Sequence, residues 1–275
     1  KILMYLLLCN STYIIQFVSM KKIILWMLRL ISRLLRTNEK FFLLFKDEAL
    51  LNPSEHLIRL SKLIRRNVFN RNGMLIIDIG AASGDSPVFF SKNFPECKVI
   101  GFEPIPESFA LAQQKTAKIA SIELRNLALF DHPGEMDFHI TTNKVSSSLN
   151  APDHTVSSSS GAGIFDNIEI KKVKVSTLDL ELQGTKEILL IKLDTQGSEL
   201  GVLKGGVVTL QRTNFVISEM NNHEDYKNAS KYNEVDAFLR ANNFILADII
   251  VAHRSDGRVI EYDAIYMNRK LLNSQ

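Results

Sequence analysis

From Met74 onward, short apolar runs alternate with stretches whose apolar positions recur at helical spacing. Leu75–Ile79, Val99–Phe102, Ile122–Leu124, Ile188–Leu193 and Phe215–Ser218 read as strands. The first and fourth are apolar almost throughout, as strands covered on both faces are. A helix is predicted from Ser86, with Pro87 in its first turn, and further helices over Ser108–Ala117, from Leu200 to a Gly205-Gly206 stop, and over Tyr232–Asn243. Asn126–Phe130 and Glu135–Ile140, on either side of Asp131-His132-Pro133-Gly134, read as a hairpin. Residues 141–163 hold too few apolar side chains to be buried and are expected to form a loop or lid, followed by an exposed strand over Ile168–Val175. Phe244–Val251 and Arg258–Met267 close the pattern as an antiparallel pair. Such an alternation predicts an α/β fold: a doubly wound, mostly parallel sheet with an antiparallel C-terminal strand.

Before this body the pattern differs. Residues 1–36 carry six cations (Lys1, Lys21, Lys22, Arg29, Arg33, Arg36) and no acid, against a net charge of +3 for all 275 residues, so the remainder is mildly acidic. The uncharged stretch between Lys1 and Lys21 is barely long enough to cross a bilayer, and Asn10, Ser11, Thr12 and Gln16 weaken it. Over residues 20–36 the basic side chains fall on one stripe opposite Ile24, Met27, Leu28, Ile31, Leu34 and Leu35. A helix of that kind can lie in a membrane interface or pack on the domain or a partner subunit. Residues 37–72 read as a helical lead-in, with Asn52-Pro53-Ser54-Glu55 as a helix start, and residues 73–275 as the main α/β domain. A mildly acidic body disfavours nucleic acid as partner. Cys9 and Cys97 do not suggest a disulfide framework, and no Cys/His group has zinc spacing, so a cytoplasmic setting is expected, with the inner face of a membrane left open by the basic head.

The chemistry concentrates at three strand ends. The first strand runs into Asp78-Ile79-Gly80-Ala81-Ala82-Ser83-Gly84, a glycine turn opening a helix, where the main chain can approach a ligand. The second ends in Glu103, nineteen residues after Gly84, where a carboxylate can accept hydrogen bonds from both hydroxyls of a ribose. Dinucleotide binders need Gly-x-Gly-x-x-Gly; here Ala82 and Asp85 stand at the second and third glycine places. The Asp-x-Gly-x-x-x-Gly pattern instead resembles the first motif of class I S-adenosylmethionine (SAM) methyltransferases. Together with Gly101-Phe102-Glu103-Pro104, Val175-Ser176-Thr177-Leu178-Asp179, Ile191-Lys192-Leu193-Asp194-Thr195-Gln196-Gly197-Ser198-Glu199 and Asp263-Ala264-Ile265-Tyr266-Met267-Asn268, the chain over roughly residues 72–270 resembles the FkbM-type methyltransferases. Gln196 stands where many relatives have Glu.

The resemblance implies a Rossmann-like class I fold, SAM as cofactor and O-methylation of a saccharide, glycolipid or natural-product-like acceptor. Asp78, Gly80, Ala81, Gly84, Glu103, Asn126, Leu127 and Asp194 are then the expected cofactor-binding residues, with Asn126 and Leu127 toward the adenine. Asp78 either orients the turn or meets the SAM amino group, and Lys192 either belongs to the strand or neutralises Asp78 or Glu199. Asp194, Glu219 and His223 are the candidate catalytic residues, because transfer to an alcohol requires the nucleophile to be aligned and its proton removed. Glu199 either reaches the site or serves its helix as an N-terminal acid. No resident metal is expected, although Asp194, Glu199 and Glu219 are chemically suited to a hard cation. Two other classes remain compatible: another nucleotide-dependent enzyme such as an oxidoreductase, and a non-catalytic, membrane-docked binding protein. A nucleic-acid methyltransferase would need a basic body and an Asn/Asp-Pro-Pro-Tyr-like loop for a flipped base.

Overall fold

The computed structural model describes residues 55–142, 144, 146–152, 168–184, 186–221, 226–255 and 257–274. Residues 20–36, on which the membrane expectation rests, lie outside them. Among the described residues no helix is long and apolar enough to cross a membrane.

From His56 onward the chain forms one compact body. Helix α1 (Glu55–Asn67) ends in basic residues, and Gly73, at φ +73°, turns the chain into β1 (Leu75–Ile79). There follow α2 (Asp85–Asn93), β2 (Lys98–Phe102), α3 (Pro106–Thr116), β3 (Ile122–Arg125), β4 (Ala128–Leu129), β5 (Gly134–Ile140), β6 (Glu169–Ser176) and α4 (Leu178–Glu181). Then come β7 (Ile188–Leu193), α5 (Glu199–Lys204), α6 (Val207–Gln211), β8 (Thr213–Asn221), α7 (Tyr232–Ala241), β9 (Phe244–Ser255) and β10 (Arg258–Asn268). A 3-10 turn covers Arg269–Ser274.

The main sheet has the order β3-β2-β1-β7-β8-β10-β9, parallel except for β10, which runs antiparallel to both its neighbours. All residues of β1 and β7 are buried, which explains their continuous apolar runs. The pleat sorts side chains onto two cores. Ile76, Leu190, Phe215, Ile217 and Ile265 pack with Leu60 and Ile64 of α1 and Phe90 of α2, whereas Ile77, Ile79, Ile191, Leu193 and Val216 pack with Val202, Leu203 and Leu239 from α5 and α7.

Two expectations are corrected. Asn126–Phe130 and Glu135–Ile140 do not form a hairpin: β4 pairs in parallel with β6, and β5 pairs antiparallel with β6, in a separate sheet of order β4-β6-β5. β6 is otherwise open to solvent over most of its length, as its alternation predicts, with Val173 and Val175 buried against Phe138, Ile140 and Leu149. At the Gly205-Gly206 stop the chain resumes at once as α6, because Thr209 and Val208 donate their backbone N–H groups to Asp179 at 2.7 and 3.1 Å. A β-carbon on Gly205 would fall 2.1 Å from the Phe130 carbonyl oxygen, so the stop is also a crossing point with the strand region before it.

Candidate active site

The carboxyl ends of β1, β2, β7 and β8 open on one cavity of about 570 Å3. In open α/β sheets this edge, where strand order reverses, is the usual ligand position. One end is built by the glycine turn. Gly80 lies at φ +84°, and a β-carbon there would sit 2.0 Å from the carbonyl oxygen of Asp194, so the close approach of two strand ends requires glycine. Gly80 and Ala81 both donate their N–H groups to the Phe102 carbonyl at 3.0 Å. Gly84 caps α2 at φ +85°, and a β-carbon on it would lie 3.1 Å from Ala112 of α3.

Glu103, only 5% exposed, braces this end: it accepts from Ala82 N–H at 2.8 Å and from Ile105 N–H at 2.9 Å. Burial pushes its carboxyl up to about 7 against these two hydrogen bonds, with help from Asp78 and Asp194. Each carboxyl oxygen retains a second lone pair, and Glu103 lines the cavity. Gly80, Ala82, Phe102, Ile105 and Leu127 line it alongside.

The far end carries an acid pair. Lys192, nearly buried, lies 3.1 Å from Asp194 Oδ2 and 3.4 Å from Asp78 Oδ1. Burial alone would lower its pKa, but Asp194 and Asp78 more than offset that and keep it an ammonium. For Asp194 burial acts upward, but the Lys192 ammonium together with hydrogen bonds from Glu219, Lys192 and Gln196 outweighs it and holds the carboxyl below its ordinary range; 39% of its side chain remains exposed, so it stays a solvated carboxylate. Glu219 is the reverse case. Burial, then the neighbouring Asp194 charge, raise its pKa well above the usual carboxylate range, so the pair keeps one proton, on Glu219. Gln196, at φ +52°, donates its amide to Glu219 Oε1 and Oε2 at 3.1 and 3.0 Å and to Asp194 Oδ1 at 3.4 Å. Where a Glu would bring a third carboxyl group, this amide bridges the two acids.

The loop over Asp194–Ser198 is held from several sides. Glu199, 4% exposed, accepts from Thr195 N–H, Thr195 Oγ1 and Gly197 N–H at 3.0–3.1 Å, and burial raises its carboxyl despite them. Ser148 Oγ donates to the Gln196 carbonyl at 2.7 Å, Asn150 to the Gly197 carbonyl at 2.9 Å, and Ser230 N–H to the same Gly197 carbonyl at 2.7 Å. Part of the polar stretch after β5 is therefore clamped to the site, and Ser146, Ser147 and Leu149 line the cavity; residues 153–167 lie outside the described residues.

Of the residues expected from sequence to bind cofactor, Gly80, Glu103, Leu127 and Asp194 line the cavity. Asp78 does not: fully buried, it accepts from Ser86 Oγ and pairs with Lys192, so of its two expected roles the structure favours bracing the turn. Burial raises its carboxyl against the Lys192 charge. Ala81 is buried behind the turn and Gly84 faces α3. Asn126 is placed differently from expectation: its amide holds the Glu103 and Pro104 carbonyls at 2.8 and 3.1 Å, fixing the turn that carries Glu103 rather than facing the cavity. Glu199 likewise braces its loop and is absent from the cavity wall, and Lys192 pairs with Asp78 and Asp194, not with Glu199. Glu219 lines the cavity, whereas His223 lies outside the described residues. His253, Ile260 and Glu261, from the β9–β10 end, also line it, unannounced by any motif. Among the described residues no group of three or more His, Cys, Asp or Glu is placed to hold a metal ion. Cys97 is buried and free, its thiol pushed up to about 12 by burial.

Comparison with known proteins gives four points of reference. A curated relative, the 2-O-methyltransferase NoeI of Sinorhizobium fredii, is 27% identical over 160 residues, which are 56% of this chain and 65% of the relative. The chain thus matches just under two thirds of that relative's length. Among solved structures, magnesium protoporphyrin IX methyltransferase (ChlM) from Synechocystis with bound SAM has a TM-score of 0.46 at 11% identity, covering 79% of this chain and 80% of that one. A TehB-like SAM-dependent methyltransferase from Corynebacterium glutamicum has a TM-score of 0.39 at 12% identity, covering 76% and 86%. The methyltransferase FkbM domain matches residues 78–246, more than half of the chain and the whole stretch from the glycine turn through the acid pair. The chain belongs to the methyltransferase FkbM domain family.

Proposed function

We propose that this protein is a SAM-dependent O-methyltransferase acting on a hydroxyl of a sugar or a related polyhydroxylated small molecule. The observation that carries the proposal is one cavity joining two unlike ends: the Gly80–Ala82 turn with Glu103, and the Asp194–Gln196–Glu219 trio. Glu103, with its free lone pairs beside the turn, fits the two hydroxyls of a ribose, and Leu127 and Ile105 offer apolar walls to a base. When bound there, SAM supplies an electrophilic methyl carrying its own leaving group. What remains for the chain is to align an alcohol, exclude water and dispose of one proton.

The trio suits the first of these tasks. The Asp194 carboxylate is an acceptor for a hydroxyl donor, while protonated Glu219 and the Gln196 amide can donate to neighbouring oxygens of the same ring. Such mixed donors and acceptors match vicinal hydroxyls better than they match a phosphate, which the Asp194 carboxylate would repel. NoeI is itself named a 2-O-methyltransferase, which supports oxygen as the methylated atom.

The test is titration of the full chain with SAM, S-adenosylhomocysteine (SAH) and NAD, followed by incubation with isotope-labelled SAM and a panel of neutral methyl glycosides, read by mass spectrometry. SAM and SAH binding that Glu103→Ala weakens about tenfold, about 1.4 kcal/mol, together with a labelled O-methyl product, is the expected result. Binding of NAD in preference to SAM, or SAM binding without product across the panel, would count against it.

A further inference from the structure

We infer that His253, on the β9–β10 end of the sheet, takes the proton from the acceptor hydroxyl, while the Asp194–Glu219 pair holds that acceptor. The inference rests on the O-methylation reading above and assigns the step that reading leaves open.

The backbone supplies the geometric ground. In a regular strand consecutive residues point to opposite faces, yet Ile260 and Glu261 both line the cavity. The β9–β10 ladder explains this: its register shifts between Val259 and Glu261, and again between Glu261 and Tyr262. His253 is the residue paired with Glu261 between the two irregularities. Bulges of this kind re-aim side chains, and they gather at sheet rims beside active sites. Here they turn an imidazole and a carboxyl, from adjacent strands, onto the wall that also carries Gln196 and Glu219.

Elimination on chemical grounds leads to the same residue. The titratable side chains on the described cavity wall are Glu103, Lys144, Asp194, Glu219, His253 and Glu261. Glu103 belongs to the opposite end and is tied to two backbone amides. Lys144 is a cation. Asp194 is held by the Lys192 ammonium and the Gln196 amide, and both oxygens of Glu219 are taken up by the same amide. Glu261 stands opposite His253, where a carboxylate steadies an imidazolium. A neutral imidazole presents a ring nitrogen that can accept a hydroxyl proton. The charged groups around it are Glu261 and Arg258 on β10, Arg254 beside it on β9, Glu219 on the same wall, and Lys144 and Asp194 elsewhere on the cavity lining.

The step balances without a further reactant. The acceptor oxygen forms a C–O bond to the methyl carbon as the S–CH3 bond breaks, and that bond's electron pair stays on sulfur, leaving SAH. The hydroxyl proton passes to a ring nitrogen of His253 and from there to water.

The test compares wild type with His253→Gln, Glu261→Gln and His223→Gln, each checked for folding by thermal melt. Turnover of a methyl glycoside used by the wild type is followed from about pH 5.5 to 9, and SAH affinity is measured in parallel. His253→Gln is expected to lower kcat by about 100-fold or more and to remove the limb rising through the imidazole range, with acceptor KM and SAH affinity within about twofold. A readout independent of turnover is the imidazole NMR signal of His253, expected to shift when the glycoside is added to the SAH complex. Retention of kcat within about threefold, an unchanged pH profile, an unmoved imidazole signal, or loss of the limb in His223→Gln instead would overturn the assignment. A wild type that methylates nothing in the panel sinks the O-methylation reading itself, and this inference with it.

Discussion

Glu103 gives the sharpest prediction, because its burial has two opposite consequences for one pH range. The carboxyl is pushed up to about 7 in the folded protein, from an ordinary value of 4.5. If only the ionised form accepts the ribose hydroxyls, apparent affinity scales with the ionised fraction, so SAH should bind about 30-fold more weakly near pH 5.5 than near pH 8.5, about 2 kcal/mol. Folding stability should move the other way. The folded state holds this proton more tightly than the unfolded chain, so the contribution is fully present below pH 4.5 and is lost as pH rises through about 7. That loss amounts to about 3 kcal/mol. Asp263, pushed up to about 7 by burial and by Asp194, acts in the same sense, so the Glu103 share must be read as a difference from Glu103→Gln. Isothermal titration with SAH and urea unfolding, each at several pH values on both proteins, measure the two halves. Wild-type affinity that stays flat with pH, or a stability difference between wild type and Glu103→Gln that does not change across pH 4.5 to 8, would refute the reasoning.

Three further outcomes follow from the same geometry. Gly80→Ala places a β-carbon 2.0 Å from the Asp194 carbonyl oxygen in a left-handed backbone position, and should cost at least about 2 kcal/mol in urea unfolding as well as weakening SAH binding. Lys192→Met leaves the fully buried Asp78 without its cation and should cost about 3 kcal/mol, whereas adding Asp78→Asn should return most of the loss; equal stability of single and double variants would contradict the pairing. Asp194→Asn removes one of the two acids that keep the buried Lys192 charged, so the melting temperature should fall, though less than in Lys192→Met because Asp78 remains beside Lys192, while turnover falls by about 100-fold, checked by calorimetry and labelled-methyl transfer.

The sequence was most legible where burial is symmetrical. β1, β2 and β7 show themselves as apolar runs because helices cover both faces, and their ends therefore located Gly80, Glu103 and Asp194. The β4-β6-β5 sheet was hidden for the opposite reason: β4 has only two residues, too few for any periodicity, and its partner lies beyond the polar stretch after β5. Roles were harder to read than positions. Glu199 and Asn126 sit at sequence positions that suggest ligand contact, but their hydrogen bonds are spent on backbone, and nothing local in the sequence records how many N–H groups a loop must satisfy. His253 was invisible because two register shifts, rather than a motif, bring this exposed residue to the rim of the cavity.

The strand order also sets when the site can exist. β10 lies between β8 and β9, so during synthesis both earlier strands must wait with unpaired edges for a strand made after them. Until residues 258–268 emerge, Glu219 has no Asp263 beside it, the wall carrying Glu261 is missing, and exposed edges invite pairing with other chains. A nascent chain could therefore fold its glycine turn early, yet complete the pocket only once its last strands have been made.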